Sequence, residues 1–418
     1  MDQQTSGFGI DRRQFIRAAG VASGAALLAS CKKAVTSDTY APASTAPAAA
    51  TQPVSMEREM VQMPEKVSLI LQTDRPPQLE TPLKYFESDL TPNEAFFVRW
   101  HLATIPFSVD LNTFRLNVHG HVDHELNLSV DDLKSQFEPV SIVAVNQCSG
   151  NSRSFFQPRV TGGQWGHGAV GNARWTGVRL KDLLKKAGVK DGAVEVSLQG
   201  LDRPVLPQTP AFIKALGMER ANHPDTLVAY AMNDQPMPML NGFPIRLVVP
   251  GWYATYWVKA LNDINVLAEP FKGFWMDKAY RVSKDPHARE TPEKLATDTV
   301  PISAMTTRSL IIKPEDGQQL PTGTAVEVQG VAFDRGEGIE KVEVSVDGGK
   351  TWNPAKLDPD LGKYSWRRWR FPWTPAAGGK SRIMARATNT KGQTQETEQW
   401  NHSGYARDVI EHIDVTIA

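Results

Sequence analysis

The stretch VNQCSGNSRSFF, residues 145–156, holds one of the two cysteines of this chain. The β-branched run Val140–Val145 leads into it and predicts a strand, whereas the Asn, Ser and Gly residues that follow predict a loop. Free cysteine usually lies among apolar side chains, but Cys148 lies where the strand gives way to polar residues. Binding and catalysis concentrate in loops carried by rigid strands. Cys148 is therefore a candidate nucleophile, metal ligand or redox sensor, with an unreactive thiol as the alternative.

The composition is that of a globular protein without an overall electrostatic bias. The 418 residues are enough for two or three domains with separate cores. Lys and Arg together number 46, as do Asp and Glu, so no general affinity for nucleic acid or an anionic membrane surface is predicted. The 11 Trp and 29 Pro favour strands and loops over helix bundles.

Residues 1–31 are predicted to be a targeting segment. Arg12 and Arg13 precede the apolar stretch Ala18–Ser30, which is too short to cross about 30 Å of hydrocarbon as a helix. The paired arginines resemble the Tat export signal, which predicts a periplasmic protein.

A short motif and a low-complexity segment follow the apolar stretch. Leu28–Cys31 resembles a lipobox, which predicts a lipid anchor at Cys31 and a membrane-tethered protein, with a plain signal peptidase site as the alternative. Residues 32–58, rich in Ala, Pro, Ser and Thr, are predicted to be a flexible linker.

The first predicted domain, residues 59–288, mixes strands and short helices. Four apolar residues spaced along one helical face, followed by Gly188, predict a helix that ends at that glycine: Leu180, Leu183, Leu184 and Ala187. Predicted strands cover 114–118, 140–145, 194–198 and 243–249. The fold class predicted for this part is therefore α+β, a mixed domain.

The second predicted domain, residues 300–418, has short alternating runs at nearly regular spacing. Turn signals separate the runs, with Asp347–Gly349 and Lys391-Gly392 as the clearest. This pattern is typical of an immunoglobulin-like β-sandwich without its disulfide.

Two other patterns suggest sites but have simpler structural interpretations. HGHVDH, His119–His124, contains zinc-binding residue types, but its apolar residues alternate and predict a strand with His119 and His121 on the solvent side. The Trp-rich YSWRRWRFPW, residues 364–373, resembles a nucleic-acid stacking surface, but an edge strand that packs Trp and Arg explains it better.

Basic residues recur beside glycines around the cysteine stretch. Arg99 and His101 stand at i and i+2, so both project from one face of an extended segment, and Arg153 lies five residues beyond Cys148. Because glycines permit close backbone approach and arginines bind oxyanions through bidentate hydrogen bonds, this composition predicts a large anionic ligand.

Three motifs together resemble the sulfite oxidase family of molybdenum enzymes, and most closely its bacterial sulfite dehydrogenases. They are Cys148-x-Gly150-Asn151-x-Arg153, Gly168-Ala169 to Trp175-x-Gly177, and Gly242-Phe243-Pro244-x-Arg246. The likeness runs from about Thr91 to the C-terminus. It implies a molybdopterin-binding domain with the sulfite oxidase fold, followed by an Ig-like domain of the dimerising type.

The resemblance also implies roles for individual residues. Cys148 matches the thiolate ligand of molybdenum, beside the dithiolene of the pterin. Five residues match groups of the substrate pocket: Arg99, His101, Arg153, Trp165 and Tyr280. Further residues fall on cofactor-binding segments, together with Arg99, His101 and Cys148: Phe97, Val98, Asp202, Asn241, Arg246, Trp257, Val258 and Lys259.

Some positions depart from the animal enzymes of the family. Trp100 replaces an asparagine between Arg99 and His101, and Asn241 replaces a histidine. An arginine that those enzymes draw from the second domain has no clear counterpart, although Arg335 lies in the corresponding loop.

The implied activity is molybdenum-dependent oxidation of sulfite to sulfate. No Cys-x-x-Cys-His motif occurs, so no haem is predicted and electrons are expected to pass to an external c-type cytochrome. One alternative is a related enzyme, either a sulfane dehydrogenase subunit of a thiosulfate-oxidising system or a methionine sulfoxide reductase; the domain at 300–418 disfavours the reductase. A non-catalytic binding lipoprotein is the other alternative.

Overall fold

A computed structural model describes residues 58–285 and 290–418. The predicted export signal, the lipobox and almost all of the predicted linker lie outside the described residues. Fifteen strands precede the gap: β1 (Met60–Gln62), β2 (Ser68–Thr73), β3 (Gln78–Glu80), β4 (Val98–Arg99), β5 (Leu116–Gly120), β6 (Leu126–Leu128), β7 (Val140–Gln147), β8 (Val170–Arg179), β9 (Glu195–Gly200), β10 (Ile213–Gly217), β11 (Leu227–Met232), β12 (Gln235–Pro236), β13 (Arg246–Val248), β14 (Leu261–Leu267) and β15 (Arg281–Ser283).

Ten strands follow the gap: β16 (Thr299–Pro301), β17 (Arg308–Lys313), β18 (Gln319–Leu320), β19 (Val326–Phe333), β20 (Ile339–Ser345), β21 (Asn353–Pro354), β22 (Lys356–Leu357), β23 (Arg367–Trp373), β24 (Gly379–Asn389) and β25 (Glu411–Ile417).

Helices are few and short in the described chain. The α-helices are α1 (Val130–Gln136), α2 (Leu180–Ala187), α3 (Met218–Ala221) and α4 (Phe274–Asp277). Single 3-10 turns occupy Leu83–Glu87, Asn93–Ala95, Arg153–Phe155, Met239–Asn241 and Ala254–Tyr256. None of the helices in this part of the chain has the length and hydropathy needed to cross a membrane.

The prediction of helix α2 is confirmed, but the mixed α+β class overstates the helix content. Gly188 ends α2 with a φ of 67°, a left-handed conformation in which glycine carries no Cβ penalty. The other three α-helices are only four to seven residues long. The described chain is mostly β.

Three sheets build the region before the gap. One contains β1-β2-β3-β4, the second β10-β9-β14-β5-β6, and the third β12-β11-β8-β7 with β13 on β11. Most neighbours are antiparallel, whereas β14 and β5 are parallel. The predicted strand at 140–145 is confirmed as β7, and it delivers Cys148 to the end of the third sheet.

Two sheets that face each other make up most of the region after the gap. They have the orders β17-β19-β23-β22 and β18-β25-β24-β20-β21. Val328 and Trp369 of one sheet share a buried core with Val344 and Ile383 of the other. The Trp-rich stretch lies on β23 and just before it, and β23 is the neighbour of the two-residue edge strand β22. The rings of Trp366 and Trp369 are buried, so they are not available to stack on nucleic acid.

The two halves also share a core with each other. The main apolar cluster includes residues of β7 and β8 together with Leu310, Phe333 and Trp366. The backbone N–H of Val145 donates to the carbonyl of Tyr364 at 2.8 Å. The strand that leads to Cys148 is therefore held by the second half of the chain.

Candidate active site

The cysteine loop is tied to the glycine-rich loop that follows it. The backbone N–H of Cys148 donates to the carbonyl of Ala169 at 2.9 Å, and the N–H of Ala169 donates to Asn151 Oδ1 at 2.9 Å. A Cβ at Gly168 would lie 2.0 Å from the carbonyl oxygen of Thr81, so only glycine fits there. Two of the three sequence motifs thus meet through these contacts.

Glu80 organises the glycine-rich loop, although sequence reasoning did not single it out. Its buried carboxylate accepts from the backbone N–H groups of Gly166 and Gly168 at 2.9 and 3.1 Å and from Arg58 at 2.8 Å. A carboxylate that accepts backbone N–H groups fixes the loop conformation. Its only sequence signal is an isolated acidic residue in a short strand.

Two cavities meet at Cys148, which is 7% exposed. We call them the inner and outer cavities, and Arg99, Cys148 and Tyr280 line both. The outer cavity has a volume of about 550 Å³. Arg153 and Trp165 line the outer cavity, and five predicted residues line the inner one: Phe97, His101, Asn241, Arg246 and Lys259.

The inner cavity presents polar groups that lack protein partners. Four of its buried side-chain atoms have no hydrogen bond in the described structure: Asn146 Nδ2, Ser149 Oγ, Arg246 Nε and Thr255 Oγ1. Buried polar groups are normally satisfied, so a group of unpaired ones calls for a water, an ion or a ligand as partner. These residues fit a polar ligand with several hydrogen-bonding groups.

Two cations of the inner cavity are poorly compensated. Burial lowers the pKa of Arg246 to about 9, and its guanidinium lies over the rings of Trp175 and Trp257 at 5.0 and 5.7 Å. Burial lowers the pKa of Lys259 to about 7, and the charge of Arg246 acts in the same direction. An anionic ligand would relieve this cost. The donor set therefore fits a molybdopterin, whose phosphate and dithiolene are anionic.

The remaining predicted cofactor residues do not line either cavity. Val98 packs in the small core of the first sheet, and Trp257 and Val258 are buried in the main core. Asp202 is 4% exposed, and burial raises its pKa to about 6 although the charge of Lys259 opposes this. Asp202 therefore interacts with Lys259 and does not line a cavity.

Asn241 is held by a buried lysine that the sequence did not reveal. Lys66 Nζ donates to Asn241 Oδ1 at 2.5 Å and to the carbonyl of Phe96 at 3.1 Å. Asn241 Nδ2 in turn donates to the carbonyl of Phe97 at 3.1 Å. Burial lowers the pKa of Lys66 to about 7.

His101 and Tyr280 form one unit. Their Nε2 and Oη atoms are 2.6 Å apart, and the His101 ring stacks on Phe212. Burial lowers the pKa of His101 well below its ordinary value, and the charges of Arg99, Lys259 and Lys214 add to this effect. The imidazole of His101 is therefore neutral. Burial also raises the pKa of Tyr280, so the phenol beside it keeps its proton.

Lys214 lies behind this unit, and sequence reasoning also missed it. Its Nζ donates to the carbonyl of Trp275 at 2.7 Å and lies 5.3 Å from the centre of the Tyr280 ring. Burial lowers its pKa to about 7. A lone lysine in a strand gives no local signal, because only the packing of β10 against α4 brings it here.

Arg153 is oriented by backbone carbonyls. Its Nε and Nη2 donate to Ser403 at 3.2 and 3.1 Å, and Nη1 donates to Gly163 at 3.1 Å. These bonds use three of the five N–H donors that a guanidinium carries. Cβ atoms at Gly150 or Gly404 would collide with the Arg153 side chain, so these glycines make its space.

The second half of the chain supplies a wall of the outer cavity. Tyr405 stacks on Tyr280 with ring centres 5.3 Å apart and lies under the guanidinium of Arg153. His402 and Ser403 line the same wall. Arg335 lines neither cavity. Its Nε lies 3.6 Å from Glu337 Oε1 on the surface. The carbonyl of Arg335 packs against Gly251, so the backbone of this loop, and not the side chain, faces the first half of the chain.

The electrostatic character of the outer cavity is cationic. Its described lining contains no carboxylate and contains four cationic side chains: Arg99, Arg153, Lys278 and Arg281.

Among residues 58–285 and 290–418, no cluster of three or more His, Cys, Asp and Glu could hold a metal ion. His119 contacts Asp263 and His121 contacts the carbonyl of Asp191, which disfavours zinc there.

Comparison with known families gives two matches. A family model described as an oxidoreductase molybdopterin binding domain matches residues 101–275. A model described as a Mo-co oxidoreductase dimerisation domain matches residues 299–417.

Curated relatives include sulfite oxidases. The mitochondrial sulfite oxidase of Homo sapiens is 34% identical over 82% of this chain and 64% of its own length. The sulfite oxidase of Gallus gallus is 31% identical over 82% of this chain and 76% of its own. The chain therefore spans slightly less than two thirds of its mammalian relatives.

A solved structure shares the fold. It is the sulfane dehydrogenase SoxCD from Paracoccus pantotrophus, with a TM-score of 0.71, 21% identity, and coverage of 88% of this chain and 92% of that chain.

Proposed function

Since the chain belongs to the sulfite oxidase family of molybdopterin oxidoreductases, we propose that it oxidises sulfite to sulfate with water as the oxygen source and a molybdenum cofactor. The observation that carries this proposal is the outer cavity, which reaches Cys148 and has cationic side chains but no carboxylate in its described lining. Such a lining favours a small dianion and disfavours neutral or cationic substrates.

The inner cavity would hold the cofactor. Cys148 would ligate the metal, because a thiolate suits a sulfur-ligated, high-valent ion. Arg246 and Lys259 would pair with anionic groups of the pterin, and Asn146, Ser149 and Thr255 would use their unpaired polar atoms. When bound, the molybdenum centre supplies two-electron oxidation with transfer of an oxygen atom.

The outer cavity would bind and orient sulfite. Arg99 and Arg153 both line this cavity and offer charge-assisted donors to the oxygens of the ion. Tyr280, held by His101, would place its hydroxyl at the boundary of the two cavities. Trp165 closes the side wall, where its buried ring excludes water.

Cys148→Ser tests the assignment of the metal ligand. The variant replaces the thiolate by a hydroxyl of similar size, so we expect a folded protein with little molybdenum and little sulfite-dependent reduction of ferricyanide. Metal content and activity would be measured on the same preparations. A variant with wild-type molybdenum and activity would contradict the assignment.

The setting of the reaction is also a proposal. The Tat-like signal supports export to the periplasm, and the lipobox supports tethering through Cys31. The electrons would pass one at a time to an external c-type cytochrome, because the sequence has no Cys-x-x-Cys-His motif for a covalently bound c-type haem. Reduction of cytochrome c by sulfite, weakened by salt, is the expected result.

The second half of the chain would be an Ig-like sandwich that forms a homodimer. The match to a dimerisation domain and the two facing sheets support this. A molar mass in solution of twice the chain mass is expected by light scattering, and a monomer at all concentrations would contradict it.

A second candidate function is sulfane oxidation. The outer cavity of about 550 Å³ has room well beyond a four-atom oxyanion, and a water molecule occupies only about 30 Å³. The family likeness and the shared fold with a sulfane dehydrogenase are compatible with a longer substrate. Competition between sulfite and a small persulfide or thiosulfate in the ferricyanide assay would separate the two functions.

A further inference from the structure

The proposed reaction releases protons that must leave the site. Sulfite and water give sulfate, two protons and two electrons. The electrons would leave through the bound cofactor to a one-electron acceptor, whereas the protons need a base that connects the outer cavity with solvent. Such a base must belong to the side chains that line this cavity.

The described lining of the outer cavity contains one suitable base. Its four cationic side chains offer no proton acceptor at neutral pH. Burial raises the pKa values of Tyr280 and Tyr405, so both phenols keep their protons. Cys148 is assigned to the metal, and His101 lines the inner cavity instead. His402 is left.

The geometry around His402 suits proton transfer. Its Nδ1 lies 2.9 Å from Glu290 Oε2, which also accepts the backbone N–H of His402 at 2.9 Å. The carboxylate of Glu290 is 4% exposed, whereas the His402 side chain is 43% exposed. Since a carboxylate is an acceptor only, Nδ1 carries the proton and Nε2 keeps its lone pair. That atom lies 3.2 Å from Ser403 Oγ.

We propose that His402, oriented by Glu290, is the proton-exit residue of the outer cavity. The Nε2 atom accepts a proton released in sulfite oxidation and passes it to solvent, and the buried carboxylate stabilises the imidazolium that forms. This inference rests on the proposed function, because it is the reaction with water that releases the protons. His402 is a positioning and relay group that does not touch the metal.

Charges on the other walls act on His402 in the opposite sense to Glu290. The cationic side chains disfavour the imidazolium, so loss of the carboxylate would leave their effect unopposed. The charged and titratable groups of the outer cavity are Arg99, Cys148, Arg153, Lys278, Tyr280, Arg281 and Tyr405.

His402→Gln and Glu290→Gln test the relay in weakly buffered solution. Near pH 7 we expect kcat for sulfite to fall about tenfold or more in His402→Gln, with KM changed by less than about twofold. The deficit should shrink towards about pH 9, where hydroxide accepts the proton, and on addition of imidazole. His121→Gln, at a histidine bound only to a backbone carbonyl, is the matched control and should behave as wild type.

A measurement that needs no turnover complements the kinetics. With ¹⁵N-labelled histidine, the ring signals of His402, assigned by their loss in His402→Gln, should report a protonated Nδ1. In Glu290→Gln the fraction of His402 rings protonated at Nδ1 should fall.

The outcomes separate the two proposals. A wild-type enzyme that oxidises no sulfite overturns the proposed function, and with it the reaction that supplies the protons. Wild-type kcat in His402→Gln across the pH range, or an Nε2-protonated ring in the wild type, overturns the relay. The contact between His402 and Glu290 would then only stabilise the loop.

Discussion

At the scale of single residues, the side chains of the candidate site are held in one conformation by their neighbours. Arg153 donates three hydrogen bonds to backbone carbonyls before any ligand binds. Fixing its side chain in advance avoids an entropic cost at the moment of binding. Tyr280 adopts a φ of 59°, which is uncommon for a residue with a side chain and is typical of functional positions.

Arg153→Gln tests the contribution of one guanidinium to substrate binding. A hydrogen bond to a charged group is worth about 1.5–3 kcal/mol, so KM for sulfite should rise roughly tenfold to a hundredfold. Steady-state kinetics at constant ionic strength would measure it.

The control is Arg159→Gln, at an exposed arginine of the same loop that lines neither cavity. Its KM should equal that of the wild type. An unchanged KM in Arg153→Gln would show that the oxyanion binds elsewhere.

At the scale of secondary structure elements, short loops between strands carry the site, and glycines allow those loops to touch. The glycine-rich loop before β8 approaches the backbone of residue 81 more closely than any side chain would permit. The same loop anchors the N–H of Cys148. The close contact of Gly168 with the Thr81 carbonyl therefore helps to fix the position of the Cys148 thiol.

Gly168→Ala tests this coupling. The added Cβ would lie 2.0 Å from the Thr81 carbonyl, so the backbone must shift. Overpacking of this kind costs about 1–3 kcal/mol of unfolding free energy. Chemical denaturation would measure the loss, together with a drop in molybdenum content.

Gly217→Ala is the matched control, since a Cβ added at Gly217 would meet no atom within 4 Å. It should change stability little. Equal stabilities of the two variants would contradict the steric account.

At the scale of the whole molecule, the second half of the chain is part of the site. Arg308 of β17 donates to Glu411 and to Ser152 Oγ at 2.8 and 3.0 Å, and Arg407 also pairs with Glu411. Ser152 in turn contacts His167 Nδ1 at 2.7 Å. This ion network connects the cysteine loop to β25.

The network predicts loss of stability in acid. Burial alone would raise the pKa of Glu411, but the charges of His167, Arg407 and Arg308 lower it to about 2. Its stabilisation is present above the unfolded pKa of about 4.3 and is lost as the pH falls towards 2. Burial lowers the pKa of His167 to about 4, so its contribution is lost as the pH falls from about 6.5 to 4.

Thermal unfolding at a series of pH values would measure this effect. Tm should fall as the pH is lowered from about 6.5 to 4, and fall further towards pH 2. His167→Gln should flatten the part of the profile between about pH 6.5 and 4. A Tm that falls equally in that range in both proteins would contradict the role of His167.

Several local elements and the family were predictable from short patterns in the sequence. β7, α2 with its terminal Gly188, and the alternating strands after residue 300 were readable because periodicity and turn residues act over a few positions. The three motifs identified Cys148, Arg153 and Arg246 because each needs particular residue types at short spacing.

The distant groups that complete the site could not be predicted from such patterns. Ser403 contacts Arg153 across 250 positions, and Tyr405, Lys66 and Lys214 reach the cavities or their supporting residues through packing. Neither the surface position of Arg335 nor the small helix content was evident from local patterns. The physical reason is that such contacts depend on how sheets pack and where buried charge is tolerated, and these are properties of the assembled core rather than of any short segment.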